Sequence, residues 1–309
     1  MTSRISKIRE LINKPVLNSL LSQDHKKWNL MCGSLDAIQY AQSAVDSYNC
    51  LNKDNIRDIG QHLIIFGLFQ ALYVQQDSVS NLCESMDIAL DIKTQYPELY
   101  EIRQLRNKGI GHPSREGKTN NIHSMLIDND SIELFSYTET GEFSFTKHKI
   151  SDCIEKQNQS LCGILQKVIK KMRSIEKEHK NKYKQNKLKD CFPADSQYCF
   201  EKILQGILHI NRRNLAFSHC EGLIKAIDRF KEELTKRGLQ DDDNDIVIVH
   251  LEIRDSKYPL EKLKEYFSSE SKSSINSQDA RAYADSAKEH MLDLVEHAKN
   301  LDDEYMSTD

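Results

Sequence analysis

The sequence predicts a mainly α protein: a helical bundle carrying a small antiparallel β meander, followed by a second helical domain. Three observations carry this. Glycine and proline are scarce, 11 and 5 in 309 residues, which favours long regular elements over many tight turns. Apolar residues recur at helical spacing along most of the chain. One stretch, residues 122–148, instead reads as short strands separated by turn residues.

In chain order, Ser34 to Tyr48 sets Leu35, Ile38, Ala41, Ala44 and Val45 on one helical face, with Ser34 as the N-cap. From Ile59 to Gln76 the residues Leu63, Ile64, Phe66, Leu68, Phe69, Leu72 and Tyr73 make a helix apolar almost all round, fit for the middle of a bundle. Its expected end is the polar run Gln75-Gln76-Asp77. A third helix is expected from Val79 to Ile92, and a fourth from after Pro97 through Leu105. Met125-Leu126-Ile127, Ile132 to Tyr137 and Phe143-Ser144-Phe145 are parted by Asp128-Asn129-Asp130 and Thr140-Gly141, which predicts a three-stranded meander.

A helical stripe of Ile154, Leu161, Ile164, Leu165, Val168, Ile169, Met172 and Ile175 then runs from Ile150 to about Lys182. Residues 177–189 are so rich in Lys, Asn and Gln that the domain boundary belongs there, giving domains at 1–190 and 191–309. The second opens with a helix from Ser196 to Lys236, open to a break near Asn211 to Asn214. The acidic run Asp241 to Asp245 lacks the glycine and distal glutamate of a calcium loop and reads as a solvated turn. The β-branched run Ile246 to Ile253 reads as a strand or a helix lead-in. Ser277 to Tyr305 is an amphipathic helix with Ala284, Ala287, Met291, Leu294 and Ala298 inward, and residues 306–309 form a frayed tail.

Basic and acidic side chains number 43 and 47, a net charge of −4, so no global positive field draws nucleic acid and any RNA contact must be local. Cysteines at 32, 50, 83, 153, 162, 191, 199 and 220 contain no C-x-x-C pair, which argues against a zinc ribbon or redox motif and for reduced, buried thiols. The first ten residues hold no apolar core for a signal peptide, and no window approaches the roughly 18 apolar residues of a membrane span. The expectation is a cytoplasmic protein without membrane contact, metal or cofactor.

The candidate chemistry lies in Leu105 to Pro113, where Arg106 and Asn107 precede His112 with Gly109 and Gly111 between. A permanently charged guanidinium suits phosphate oxygens, and an imidazole exchanges protons near neutrality. An arginine six residues before a histidine is common by chance, and the adjacent asparagine sharpens it. Two Arg-Asn pairs occur in the chain, Arg106-Asn107 and Arg213-Asn214, each with a histidine at the same offset, His112 and His219. Chance gives on the order of a few hundredths of such a match per chain. Six residues along a regular helix turn a side chain by about 120°, so Gly109 and Gly111 are expected to turn the backbone and let His112 leave the helix axis. The second copy lacks those glycines, so Arg213 and His219 point apart unless the helix breaks near Asn214.

Asp77, with Gln75 and Gln76, either lines the same cleft, holding an imidazole or pairing with Arg106, or simply ends a helix. Glu101 and Arg103 read as surface pairs, and Arg115 and Lys118 as phosphate contacts or a solvated loop. His62, His209, His250, His290 and His297 read as structural or exposed.

The run Arg106-Asn107-Lys108-Gly109-Ile110-Gly111-His112, following three helices and opening on a polar turn, resembles the R-x4-6-H motif of HEPN domains over residues of about 34 to 115. Arg213 to His219 resembles it more weakly. The resemblance implies an all-helical bundle that often dimerises, and in many members a metal-independent endoribonuclease of prokaryotic toxin, abortive-infection or CRISPR-type defence systems. It implies His112 as acid or base, Arg106 on the phosphate, Asn107 orienting either, and a 2′,3′-cyclic phosphate product. Two arrangements stay open. A degenerate second HEPN-like bundle pairs with the first within one chain, a pseudo-dimer joining His112 to His219, or two chains form a homodimer through their first halves. The alternative function is a noncatalytic HEPN-like module that binds a nucleotide or protein as antitoxin, regulator or assembly unit.

Overall fold

The computed structural model describes residues 1–51, 56–111, 122–128, 130–137, 141–239, 245–268 and 275–307, with side chains at 56–59, 122–124 and 245 excepted. The chain is mainly α with one three-stranded sheet. It divides into two compact units, one of Met1–Leu11 with Asp24–Met172, the other of Ile12–Gln23 with Arg173–Asp309. The division falls inside a helix rather than in the polar stretch at 177–189, and a short N-terminal segment joins the second unit.

The first unit holds α1 (Thr2–Ile12), α3 (His25–Cys50), α4 (Ile56–Ser85), α5 (Ile92–Gln95), α6 (Pro97–Arg106), the sheet, and the first part of α7 (Ile150–Tyr183). Helix α3 starts ten residues earlier than its apolar stripe suggested. Asp24 caps it by accepting from the Lys27 backbone N–H at 3.1 Å. Ser34 lies inside the helix, its hydroxyl donating to the Leu30 carbonyl at 2.5 Å.

Helix α4 does not stop at Gln75-Gln76-Asp77 but runs on to Ser85. Gln75 and Gln76 are buried and engaged by other amides and by Arg103, so a polar run here marks a core network rather than a helix end. The separate helix expected from Val79 to Ile92 is therefore the last part of α4, which closes with Asp87 at φ 53 and Ile88 N–H bonded to the Cys83 carbonyl. Gly60, at φ 104, kinks α4 near its start.

Strands β1 (Ile122–Asp128), β2 (Ser131–Tyr137) and β3 (Phe143–Lys149) form the expected antiparallel meander, with Met125 opposite Leu134 and Phe135 opposite Phe145. Alternation divides its faces. Ile132 and Leu134 join a core with Val45, Ile65, Phe69, Leu72, Ile102 and Leu105.

The second unit holds α2 (Pro15–Ser22), the end of α7, α8 (Ser196–Leu208), α9 (Arg213–Lys236), α10 (Asp245–Phe267) and α11 (Ser277–Met306). The 3-10 turn Ile210–Arg212 breaks α8 from α9, beside the asparagines where the sequence placed a break. Gly206 lets these helices close up: a Cβ there would meet the Ala216 Cβ at 2.3 Å. The run 246–253 is helical, and the strand reading does not hold. Ile246, Val249 and Ile253 are buried at helical spacing, so packing overrides β-branched propensity. Helix α11 opens with an Asn276–Asp279 capping box and buries Ala284, Ala287, Met291, Leu294 and Ala298. The acidic residues 241–244 and the tail at 308–309 lie outside the described residues. All eight cysteines are free thiols. Among the described residues no helix is long and apolar enough to cross a membrane.

Candidate functional site

Helix α6 starts on Pro97, whose missing N–H costs nothing at the first helical position, and buries Leu99, Ile102 and Leu105. That face fixes the rotation of the helix and places Arg103 and Arg106, one turn apart, beside α4. Both guanidiniums lie on the Tyr73 ring of α4, their carbons 4.5 and 4.6 Å from its centroid. A tyrosine face attracts cations, but two on one ring repel each other, so further contacts must hold them.

Those contacts differ in kind. Arg103 donates to the Asp77 carboxylate and, through Nε, to Gln76 Oε1 at 3.2 Å, so its charge is neutralised. Arg106 donates to Gln70 Oε1 at 2.8 Å and to Asn107 Oδ1 at 3.1 Å, both neutral amides. Its buried Nε has no partner among the described residues, and no carboxylate there pairs with it. Asp77 thus serves Arg103 rather than Arg106. Gln76 is the buried end of an amide ladder: its Nε2 donates to Gln157 Oε1 at 2.8 Å and to the Leu99 carbonyl at 3.1 Å. Gln157 Nε2 donates to Gln75 Oε1 at 2.8 Å and the Leu72 carbonyl at 2.9 Å, and Gln75 continues to Gln42. Four helices, α3, α4, α6 and α7, meet through this ladder directly behind Arg103.

Beyond α6 the chain makes one π-helical turn, Asn107–Gly111. Such widened turns cluster at functional sites. Gly109 and Gly111 do not supply a left-handed break, since neither has positive φ. They supply space. A Cβ on Gly111 would lie 2.7 Å from Arg106 Nη1, and one on Gly109 would lie 2.9 Å from the Met125 sulfur of β1. The backbone therefore folds closely onto the Arg106 guanidinium immediately before residue 112. His112, Arg115 and Lys118 lie outside the described residues.

The second copy is built differently. Helix α9 begins at Arg213 and stays regular through Asn214 to His219. The Arg213 guanidinium lies on Tyr266 of α10 at 4.7 Å, while His219 packs edge-on against Tyr198 of α8 at 5.7 Å. Asn214 is exposed. Arg213 and His219 thus contact different helices, α10 and α8. Burial, and secondarily Lys202, hold the His219 pKa below its ordinary value.

His290, read from sequence as structural or exposed, is bonded through Nδ1 to Glu252 at 2.8 Å. With Asp293 these form a group in the second unit whose ligand atoms lie within 4.8 Å of one another, able to hold a metal ion. Sequence reasoning also missed Tyr73, Gln70, Arg103 and Gln157. The available signal was spacing: Arg103 precedes Arg106 by one helical turn, and Gln70, Tyr73 and Asp77 recur along one stripe of α4. No family model, curated protein sequence or solved structure matches this chain.

Proposed function

We propose that the chain is a metal-independent endoribonuclease of HEPN type, acting in a prokaryotic defence or toxin system. The observation that carries this reading is the state of Arg106: a partly buried guanidinium fixed on Tyr73 and by two amides, its charge left uncompensated among the described residues. A structural arginine is ordinarily held by a carboxylate, as Arg103 is by Asp77. Arg106 has the fixed position and free charge that a phosphate would use.

In the reaction, His112 takes the proton of a ribose 2′-hydroxyl, whose oxygen attacks the adjacent phosphorus, and Arg106 stabilises the phosphorane. A second histidine returns a proton to the departing 5′-oxygen. One fragment then ends in a 2′,3′-cyclic phosphate and the other in a 5′-hydroxyl. The divergence of Arg213 and His219 favours a homodimer, each chain giving one His112, over a pseudo-dimer completed by α9. The test is cleavage of a mixed RNA pool in EDTA. Wild type should release cyclic-phosphate ends, and His112→Ala, still folded, should lose about a hundredfold or more of the rate. Equal cutting by both proteins, or intact RNA with wild type, defeats the reading and leaves a noncatalytic nucleotide-binding module.

A further inference from the structure

Two helices of the second unit bring three metal-ligand side chains together. Glu252 lies on α10, while His290 and Asp293 lie on α11 at i, i+3 spacing, which sets them on one face. One ligand atom from each residue falls within 4.8 Å of those of the other two. The closest pair is already in contact, His290 Nδ1 standing 2.8 Å from Glu252 Oε2.

These groups are open to solvent and lightly committed. Asp293 is exposed, and the side chains of His290 and Glu252 are 32% and 19% exposed. Among the described residues no lysine or arginine pairs with Glu252 or Asp293, and Asp293 has no hydrogen bond. Two carboxylates this close repel each other unless a cation lies between them. Other carboxylates of this unit have a lysine: Glu176 takes Lys14 and Lys180, Asp228 takes Lys257, and Glu221 takes Lys264. Here the neighbour is an imidazole, which holds a proton or a metal ion equally well. Its hydrogen bond to Glu252 does not close the site. With the ring proton on Nε2, which has no hydrogen bond among the described residues, Nδ1 presents a lone pair and the cation takes the place the proton held.

We propose that Glu252, His290 and Asp293 form a zinc site that ties α10 to α11. An imidazole beside two carboxylates suits zinc, whereas magnesium and calcium take oxygen ligands. Bonds of about 2.0–2.2 Å in a tetrahedral shell set ligand atoms about 3.3–3.5 Å apart, so the widest of the three separations shortens by at most about 1.5 Å. Asp293, which nothing holds, is free to make that movement. Two carboxylates balance the charge of the ion, and water fills the fourth position. The site lies in the second unit and takes no part in the chemistry proposed for Arg106.

The experiment titrates Zn²⁺, and separately Mg²⁺, into the full chain after EDTA treatment and under reducing conditions, by calorimetry with melting temperature read alongside. One zinc should bind at micromolar concentration or below and raise the melting temperature, while millimolar magnesium should do neither. His290→Gln and Asp293→Asn alter solvent-reachable side chains, and metal-free urea midpoints near that of wild type show that they fold. Each should weaken the zinc site about tenfold or more and remove the rise in melting temperature. The proposal is overturned if wild type binds no zinc with a Kd below about 10 µM, if magnesium binds as tightly, or if the tight site survives either substitution, as one made by the cysteines would.

Discussion

Replacing Gly111 by alanine should separate stability from activity. The added Cβ would lie 2.7 Å from Arg106 Nη1, and ordinary contact begins near 3.4 Å, so one of them must retreat by about 0.7 Å. The obstacle is the end of a long side chain rather than backbone, so the guanidinium moves and the fold does not. Gly111 has no positive φ, and alanine in a helical turn is favoured over glycine by up to about 1 kcal/mol. The melting temperature should therefore hold or rise slightly.

The cost falls on the site, where the displaced guanidinium loses its 2.8 Å bond to Gln70 or its 3.1 Å bond to Asn107. One charged hydrogen bond is worth about 1.5–3 kcal/mol, and displacement approaching 1 Å slows catalysis by up to about a hundredfold. Single-turnover RNA cleavage by Gly111→Ala should accordingly fall about ten- to a hundredfold. Since the effect acts through Arg106, adding Gly111→Ala to Arg106→Ala should cost nothing more. Cleavage at the wild-type rate by Gly111→Ala, or a further loss in the double variant, would refute the reasoning.

Other expectations follow from the same contacts. Gln157→Leu removes hydrogen bonds to Gln75, Gln76 and the Leu72 carbonyl at a site 1% exposed, and should cost the first unit about 3 kcal/mol in urea unfolding. An unchanged midpoint would show that the ladder does not stabilise the unit. His219→Ala should leave RNA cleavage within about twofold of wild type, because its ring meets Tyr198 rather than Arg213. A loss like that of His112→Ala would restore the pseudo-dimer.

His179 donates from Nε2 to the Arg237 carbonyl at 2.8 Å, its Nδ1 receives the Tyr305 hydroxyl at 3.3 Å, and burial holds its pKa below 6.5. The unfolded chain then binds the extra proton. The stabilisation is complete above pH 6.5 and is lost as pH falls through the lower folded pKa. Urea midpoints of the second unit should drop from pH 7.5 to 5.5, and the drop should shrink in His179→Gln.

Much of the fold was legible because its signals are local. The meander, the stripe of α7, the small inward residues of α11 and the break near Asn211 each follow from spacing or turn chemistry within a few residues. The errors came from distant partners. Gln75 and Gln76 look like a helix end until Gln157, 81 residues beyond Gln76, meets them in the core. The run 246–253, open on sequence between a strand and a helix lead-in, is helical because three buried positions at helical spacing decide the outcome. At the candidate site, Arg106 and Asn107 stood out by motif. Tyr73 and Gln70 did not, because they reach Arg106 across two helices, 33 and 36 residues away in sequence.

The amide grip on Arg106 also bears on the shape of a pH–rate profile. Neither Gln70 nor Asn107 gains or loses a proton in water, so the orientation they impose is the same in acid and in base. Had a carboxylate held that guanidinium, its protonation near pH 4 would add an acid limb of its own. With amides in that place, both limbs of the bell-shaped profile expected if the chain cleaves RNA as proposed would belong to imidazoles, and the arginine would stay invisible to titration.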